Sequence, residues 1–216
     1  MIGIIDYGMG NLRSVQKAFE CVGVQATILT SPDQCKAVER LVLPGVGAFA
    51  DGMSHLNQYA WSQAIGAFLD GGRPFLGICL GMQLLFNGSQ EDAPTPGDPV
   101  AGLGVLRGQI VRFDGDVFGP GKLKVPHMGW NTIRWGRDDP LFAGLDQGCA
   151  VYFVHSYYAA PAADDVAAAS SAAADYGGSF CASVWSNNIW ATQFHPEKSQ
   201  RVGLRMLANF ANLVPR

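Results

Sequence analysis

The sequence predicts an α/β fold: a mostly parallel central sheet flanked by helices, with additional antiparallel strands in the second half. Two observations carry this expectation. Residues 1–86 alternate short apolar runs with helix-period segments, the rhythm that buries a parallel sheet beneath helices on both faces. Residues 108–193 change to short strands parted by turn residues, the pattern of antiparallel pairing. With 216 residues, the chain is expected to form one domain over 1–216, large enough to bury a substantial core.

The elements follow in order. Met1–Asp6 is a short apolar strand, and Tyr7-Gly8-Met9-Gly10 is a glycine-rich turn. Asn11 caps a helix whose apolar face is Leu12, Val15, Phe19 and Val22, with Gly23 stopping it. Val24–Thr30 is the next strand, and Ser31-Pro32 opens a short helix. Arg40–Leu43 is a third strand, broken by Pro44-Gly45-Val46-Gly47. A helical pattern runs from Phe49 to Leu69, in one piece or two. Pro74–Ile78 is the fourth strand and delivers Cys79 to its C-terminal end, and Gly81–Phe86 begins the following helix.

From Gln90 to Gly102, proline and glycine dominate, which predicts a loop. Strands are expected at Gly108–Phe113, Asn131–Arg134, Ala150–Tyr158, Val166–Ala174, Phe180–Ser186 and Ile189–Gln193. Asn187-Asn188 is a hairpin signal between the last two. In the alanine-rich stretch Ala159–Ala174, Pro161 and Asp164-Asp165 weaken a helical reading, so a loop and then a strand is expected. An amphipathic helix over Ser199–Leu213 closes the chain.

Composition narrows the function classes. Apolar residues make up 48% and charged residues 15%, which is a globular rather than a disordered balance. The net charge is −3 and no Lys/Arg run stands out, which argues against nucleic acid or a membrane surface as partner. Five cysteines without CxxC spacing form neither a disulfide framework nor a zinc ribbon; Cys21, Cys35, Cys149 and Cys181 read as small buried hydrophobes. No leader pattern or membrane-length apolar run is visible, so a cytoplasmic location is expected.

No metal is expected either, because His55, His127, His155 and His195 are not at ligand spacing, and His55 is expected on a solvent-facing helix surface. No GxxxxGK[ST] loop occurs, and Gly8 and Gly10 lack the third glycine of a dinucleotide turn, where Arg13 stands instead. No cofactor is expected.

One cysteine stands apart. Cys79 lies in Gly77-Ile78-Cys79-Leu80-Gly81, a thiol between two glycines on a sharp strand-to-helix turn. A side chain at either glycine would crowd that turn. A helix N-terminus behind the sulfur favours its anionic form. The turn also aims the Leu80 N–H at the reaction centre as half of an oxyanion hole.

The other half is expected from Pro44-Gly45-Val46-Gly47, where the Val46–Gly47 peptide can present an N–H. An ordinary glycine-rich loop would read the same way. His195 and Glu197, two residues apart after an apolar strand, face one side of an extended segment. There they supply a general base and its orienting carboxylate. Taken alone, they also fit a strand-end histidine and an acidic residue at a helix start.

Gly-Ile-Cys-Leu-Gly-Met-Gln together with Phe-His-Pro-Glu-Lys-Ser resembles the class I (triad-type) glutamine amidotransferases, over nearly the whole chain. Asp6-Tyr7-Gly8-Met9-Gly10-Asn11 and Pro126-His127-Met128-Gly129-Trp130-Asn131 resemble, more narrowly, the glutaminase subunits of imidazole glycerol phosphate synthases. The resemblance implies a flavodoxin-like sheet and a triad of Cys79, His195 and Glu197. It implies attack of the thiol on glutamine's carboxamide through a thioester. By the same pattern Gln83, Glu91, His155, Ser156 and Tyr157 grip the substrate. Glu91 also fits a solvated loop, and the His155–Tyr157 triplet an edge strand.

The family's partner is a (β/α)8-barrel cyclase, in a heterodimer, that consumes the ammonia to form imidazole glycerol phosphate and AICAR. Asn11, Met128, Trp130 and Lys198 fall on segments that would meet it; for Trp130, core packing is the competing reading. The rivals are a glutaminase for another synthase, such as pyridoxal phosphate synthase, a stand-alone cysteine hydrolase, and a binding module without chemistry.

Overall fold

Ile2–Ile5 (β1), Ala26–Leu29 (β2), Arg40–Gly45 (β3) and Phe75–Cys79 (β4) form parallel strands in the order β2-β1-β3-β4. The structure is a computed structural model, and it describes residues 1–93, 95, 97–162 and 170–214. Burial on both faces explains why β3 and β4 read as continuous apolar runs rather than alternating ones.

The helices are Leu12–Cys21 (α1), Phe49–Gln58 (α2), Trp61–Asp70 (α3), Leu80–Gln83 (α4) and Gln200–Ala211 (α5). Helices α2 and α3 bury Phe49, Leu56, Trp61, Ile65 and Phe68 on one side of the sheet. Val15 and Phe19 of α1 meet Met206, Leu207 and Phe210 of α5 on the other. Each such side chain contributes about 1.5–3 kcal/mol by leaving water. The Asn11 side chain accepts from Ser14 N at 3.4 Å, which makes it the N-cap of α1. The long helical pattern breaks in two at Tyr59-Ala60, where Ala60 takes a left-handed conformation, φ 58°.

The second half adds Phe86–Ser89 (β5), Val100–Ala101 (β6), Leu106–Arg112 (β7), His127–Thr132 (β8), Arg134–Trp135 (β9), Ala150–His155 (β10), Tyr157–Pro161 (β11), Ser170–Asp175 (β12), Ser179–Ser186 (β13) and Ile189–Thr192 (β14). Strand β14 lies parallel to β4, and β13, β11, β7, β5 and β6 extend the same sheet, with antiparallel pairing at β14/β13, β13/β11, β11/β7 and β5/β6. Strands β8 and β10 form a separate antiparallel ribbon.

Several expectations change. The helix after Cys79 is a single turn, not an element running to Phe86. Its continuation is cut off because the carbonyls of Leu84, Leu85 and Phe86 accept from the N–H groups of Leu103, Leu106 and Gly104. The loop expected over Gln90–Gly102 is a loop through most of its described residues but ends in a two-residue strand, β6, antiparallel to β5, with residues 94 and 96 outside the described set.

The strand expected over Ala150–Tyr158 divides at Ser156. His155 pairs with His127 in the ribbon, whereas Tyr157 pairs with Arg112 in the main sheet. Strand β11 reaches Pro161, where a loop was expected. The strand expected at Val166–Ala174 is Ser170–Asp175, and residues 163–169 lie outside the described residues.

Cys21 is exposed and Cys149 half-buried, so burial accounts only for Cys35 and Cys181. His55 is half-buried, not solvent-facing, because its Nδ1 lies 2.9 Å from the Tyr7 carbonyl and its ring packs edge-on to Tyr59.

Candidate active site

Three adjacent parallel strands end side by side. Gly45 of β3 is level with Cys79 of β4, and Ile78 is level with Thr192 of β14. The register therefore brings Val46-Gly47, Cys79 and His195 to one edge of the sheet although they are far apart in sequence. This is where an open parallel sheet places its ligands.

Cys79 is held at φ 55°, ψ −110°, a conformation that a residue with a side chain adopts only under constraint. Both flanking glycines are sterically required. A Cβ on Gly77 would come within 2.8 Å of the Gly81 carbonyl oxygen, and one on Gly81 would overlap the Leu43 carbonyl oxygen. The strained turn is clamped between β4, its own first helical turn and β3. Because α4 is one turn long, stabilisation of an anionic sulfur falls to local donors rather than to a helix macrodipole.

His195 follows β14 and is 2% exposed. Its main chain is tied to β10: His195 N donates to Tyr152 O at 2.9 Å, and Ser199 Oγ donates to His195 O at 2.6 Å. Nδ1 lies 2.8 Å from Glu197 Oε1, which sets the ring's orientation and directs Nε2 away from the carboxylate. Burial works against a charge on this imidazole. Pairing with the Cys79 thiol and the Glu197 carboxylate outweighs it and lifts the pKa to about 10. His195 Nε2 is buried without an aligned hydrogen bond. The sulfur is thus electrostatically coupled to the ring without a formed hydrogen bond to it, a looseness common in catalytic pairs before substrate engages them.

A cavity of about 360 Å³ opens beside the sulfur, lined by Val46, Gly47, Cys79, Leu80, Gln83, Glu91, Pro126, Val154, His155, Ser156 and Tyr157. Every residue expected to form the oxyanion hole or grip substrate lies on this wall. Gly47 takes φ 106°, open to glycine and disfavoured for other residues. Glu91 is not a free loop carboxylate: its Oε2 accepts from Phe49 N at 2.9 Å, at the start of α2. Partial burial raises its pKa, opposed by that N–H.

Ser156 lies where the chain crosses from the ribbon to the main sheet, which turns the 155–157 triplet into a cavity wall rather than a simple edge strand. The His155 ring is packed among Phe113, Phe153 and Phe180 and also faces His127, 3.1 Å from His127 Nδ1 to His155 Nε2. His155 Nδ1 is 2.9 Å from the Tyr157 carbonyl, so the ring donates there and accepts from His127. Burial drives both imidazoles down, His127 to about 4 and His155 to about 3.

Two residues at the site escaped the sequence reading. Gln193 is fully buried, with its Nε2 3.7 Å from the Cys79 sulfur and its Oε1 3.0 Å from Gln83 Nε2. The signal was present: Gln193, His195 and Glu197 recur every second residue, one face of an extended chain. Tyr7 places its hydroxyl beside Gly45 and Leu80, buried and without a hydrogen-bond partner.

The four residues on segments expected to meet a partner lie at the surface. Met128 is 63% and Trp130 50% exposed, so core packing does not account for either. Trp130 stands edge-on to Tyr152, and Lys198 Nζ is 6.0 Å from the centre of that same ring. Asn11 is exposed at the start of α1.

The family model described as glutamine amidotransferase class-I matches residues 3–213. The chain is 54% identical over 214 residues to the imidazole glycerol phosphate synthase subunit HisH of Syntrophotalea carbinolica, covering 99% of this chain and 100% of that one. It is 52% identical over 211 residues to the HisH subunit of Geobacter metallireducens, covering 97% of each. Among solved structures, PurLQS from Thermotoga maritima superposes with a TM-score of 0.72 at 16% identity, over 98% of this chain and 97% of that chain, a likeness of fold.

Proposed function

The chain belongs to the class I glutamine amidotransferases, and we propose that the cavity beside Cys79 is where it hydrolyses glutamine. It is the glutaminase subunit of an imidazole glycerol phosphate synthase and serves histidine biosynthesis. The pyridoxal phosphate synthase alternative loses its support, because relatives at 51–54% identity over nearly the whole chain carry the imidazole glycerol phosphate synthase name.

The observation that carries the site proposal is the convergence of Cys79, the His195–Glu197 pair and the cavity at the ends of β3, β4 and β14. The Cys79 sulfur attacks the substrate's carboxamide carbon, and His195 takes the thiol proton. The carboxamide oxygen becomes an oxyanion facing the Leu80 N–H and the Val46–Gly47 peptide, where each donor supplies about 2.7–4 kcal/mol of transition-state stabilisation. Collapse breaks the C–N bond, and His195 returns its proton to the departing nitrogen as ammonia. His195 then draws a proton from water, which attacks the thioester and releases glutamate and the thiol. Glu197 orients the ring and balances its charge at both protonated stages.

Gln83, Glu91, Ser156 and Tyr157 hold the substrate against the cavity wall, and His155 braces that wall from behind. The ammonia passes to a (β/α)8-barrel cyclase docked on the face carrying Asn11, Met128, Trp130 and Lys198, in a cytoplasmic heterodimer. Trp130 and Met128 supply the apolar anchor that such an interface needs, and Lys198 a charge at its edge. The test is a glutaminase assay with and without the cyclase and its nucleotide ligand. Stimulation by both supports the coupled reading. Undiminished glutamine turnover after Cys79→Ala overturns the site assignment.

A further inference from the structure

The site contains a relay of amides with a fixed polarity. A backbone carbonyl can only accept, so the Tyr157 carbonyl determines which end of Gln83 faces it: Nε2 donates there at 2.9 Å. The second hydrogen of that nitrogen goes to Gln193 Oε1, at 3.0 Å. With its oxygen so engaged, Gln193 turns its own Nε2 to the Cys79 sulfur at 3.7 Å. Gln193 is fully buried and Gln83 only 5% exposed at the cavity wall, so the contact between the two amides is shielded from solvent.

Building on the glutaminase reading above, we propose that Gln193 is a catalytic donor to the nucleophile. It holds the sulfur in place and stabilises its negative charge through a polarity set by the Tyr157 carbonyl. Three features of the structure support this. Helix α4 is one turn long, so the sulfur has no macrodipole behind it. Beside the coupled His195 ring and Gln193, the thiol's further polar contact is the Val154 carbonyl at 4.0 Å, which can accept from a thiol but offers nothing to a thiolate. Gln193 also immediately precedes the Phe194-His195 corner, so one extended segment brings both the base and the donor to the sulfur.

The same relay couples substrate binding to the nucleophile. Tyr157 lines the cavity and its carbonyl orients both amides, so a shift of the cavity wall at residues 156–157 changes the donor presented to Cys79. Gln83, with its nitrogen committed on two sides, has its carbonyl oxygen left for a substrate N–H.

The test uses the full chain and two variants. Gln193→Glu keeps the acceptor for Gln83 and replaces the donor with a carboxylate; Gln193→Met keeps the length and removes both functions. The rate of Cys79 alkylation by iodoacetamide is followed across pH, with the labelled peptide identified by mass spectrometry, beside steady-state glutaminase kinetics.

In both variants the alkylation profile is expected to move to higher pH. The rate at neutral pH falls by about tenfold, the worth of one hydrogen bond to a charged group. Gln193→Glu falls further than Gln193→Met, and kcat drops while KM for glutamine stays within about threefold, the pattern of an interaction made in the transition state. Wild-type profiles in folded variants overturn the proposal and leave the glutaminase reading intact. Collapse of both variants shows a merely structural amide and overturns it as well. A wild-type Cys79 that resists both iodoacetamide and a diazo-oxo glutamine analogue removes the nucleophile itself, and both readings fall together.

Discussion

Gly81 lies so close to Leu43 that a Cβ on the glycine would overlap the leucine's carbonyl oxygen. The neighbour is backbone in the middle of β3 and has no room to yield. Gly81→Ala is therefore expected to destabilise the chain by about 1–3 kcal/mol or more, the cost of overpacking a close-packed site. Glutaminase activity is expected to fall with it, since the displaced turn carries Cys79. Urea denaturation and turnover at a fixed folded fraction check both parts; a native midpoint would show that β3 can move.

Glu197→Gln keeps the shape of the residue but offers His195 no charge. With the carboxylate gone, one of the two groups that hold a proton on the buried imidazole is lost and only Cys79 still opposes burial, so its affinity for a proton falls. The expected outcome is a loss of about 10²–10⁴-fold in kcat, the range that positioned acid–base catalysis contributes, with KM little changed. Steady-state kinetics with glutamine measure it.

Gly47 sits at φ 106° with its Cβ position opposite the tip of Met9. Met9 can swing aside, but the backbone conformation excludes alanine, so Gly47→Ala re-aims the Val46–Gly47 peptide. We expect kcat to fall by about 10²–10³-fold, the cost of one oxyanion donor, with KM within about threefold. An unchanged kcat would remove this loop from the oxyanion hole.

The buried pair His127–His155 gives stability a defined pH dependence. Unfolded, both imidazoles titrate near the ordinary histidine value of about 6.5; folded, burial holds them at about 4 and about 3. From pH 6.5 down to 4 the unfolded chain binds protons that the fold excludes, so stability falls as pH falls. His127→Gln retains a donor to His155 and removes one of the two titrations. Its urea midpoint is expected to decline less steeply between pH 6.5 and 4.5 than that of the wild type.

Trp130→Ala and Met128→Asp are expected to weaken cyclase binding by about 30-fold or more, as loss of a buried aromatic or apolar anchor does at a hot spot. Glutamine turnover without the cyclase should not change, because neither side chain lines the cavity. Calorimetric titration of the two subunits, beside the uncoupled assay, separates interface from chemistry.

What could be read along the chain was short-range. The turn at Cys79 was legible because two glycines around one thiol mark a tight turn; a Cβ on Gly77 meets the turn's own Gly81 carbonyl, whereas Gly81 is demanded by Leu43 of β3, which lies far off in the chain. The helices of the first half were legible because capping and apolar period are local: Asn11 and Gly23 bracket α1. The single-turn length of α4 was not legible. Gly81–Phe86 has helical composition, and the carbonyls that end the helix are claimed by residues 103–106, which no window around Cys79 contains.

By itself the sequence determined the chemistry on offer: a thiol on a forced turn, and an imidazole with a carboxylate two residues on. The tertiary structure decided how those groups are combined. Strand register set Val46-Gly47, Cys79 and His195 at one edge, and the crossing at Ser156 made a strand into a cavity wall. Packing of β11 against β7 also placed the Tyr157 carbonyl where it orients Gln83 and, through it, Gln193. The difference is physical: turn sterics and side-chain chemistry act over a few bonds, whereas register and hydrogen-bond polarity are settled by partners distant in the chain, once loop-closure entropy has been overcome.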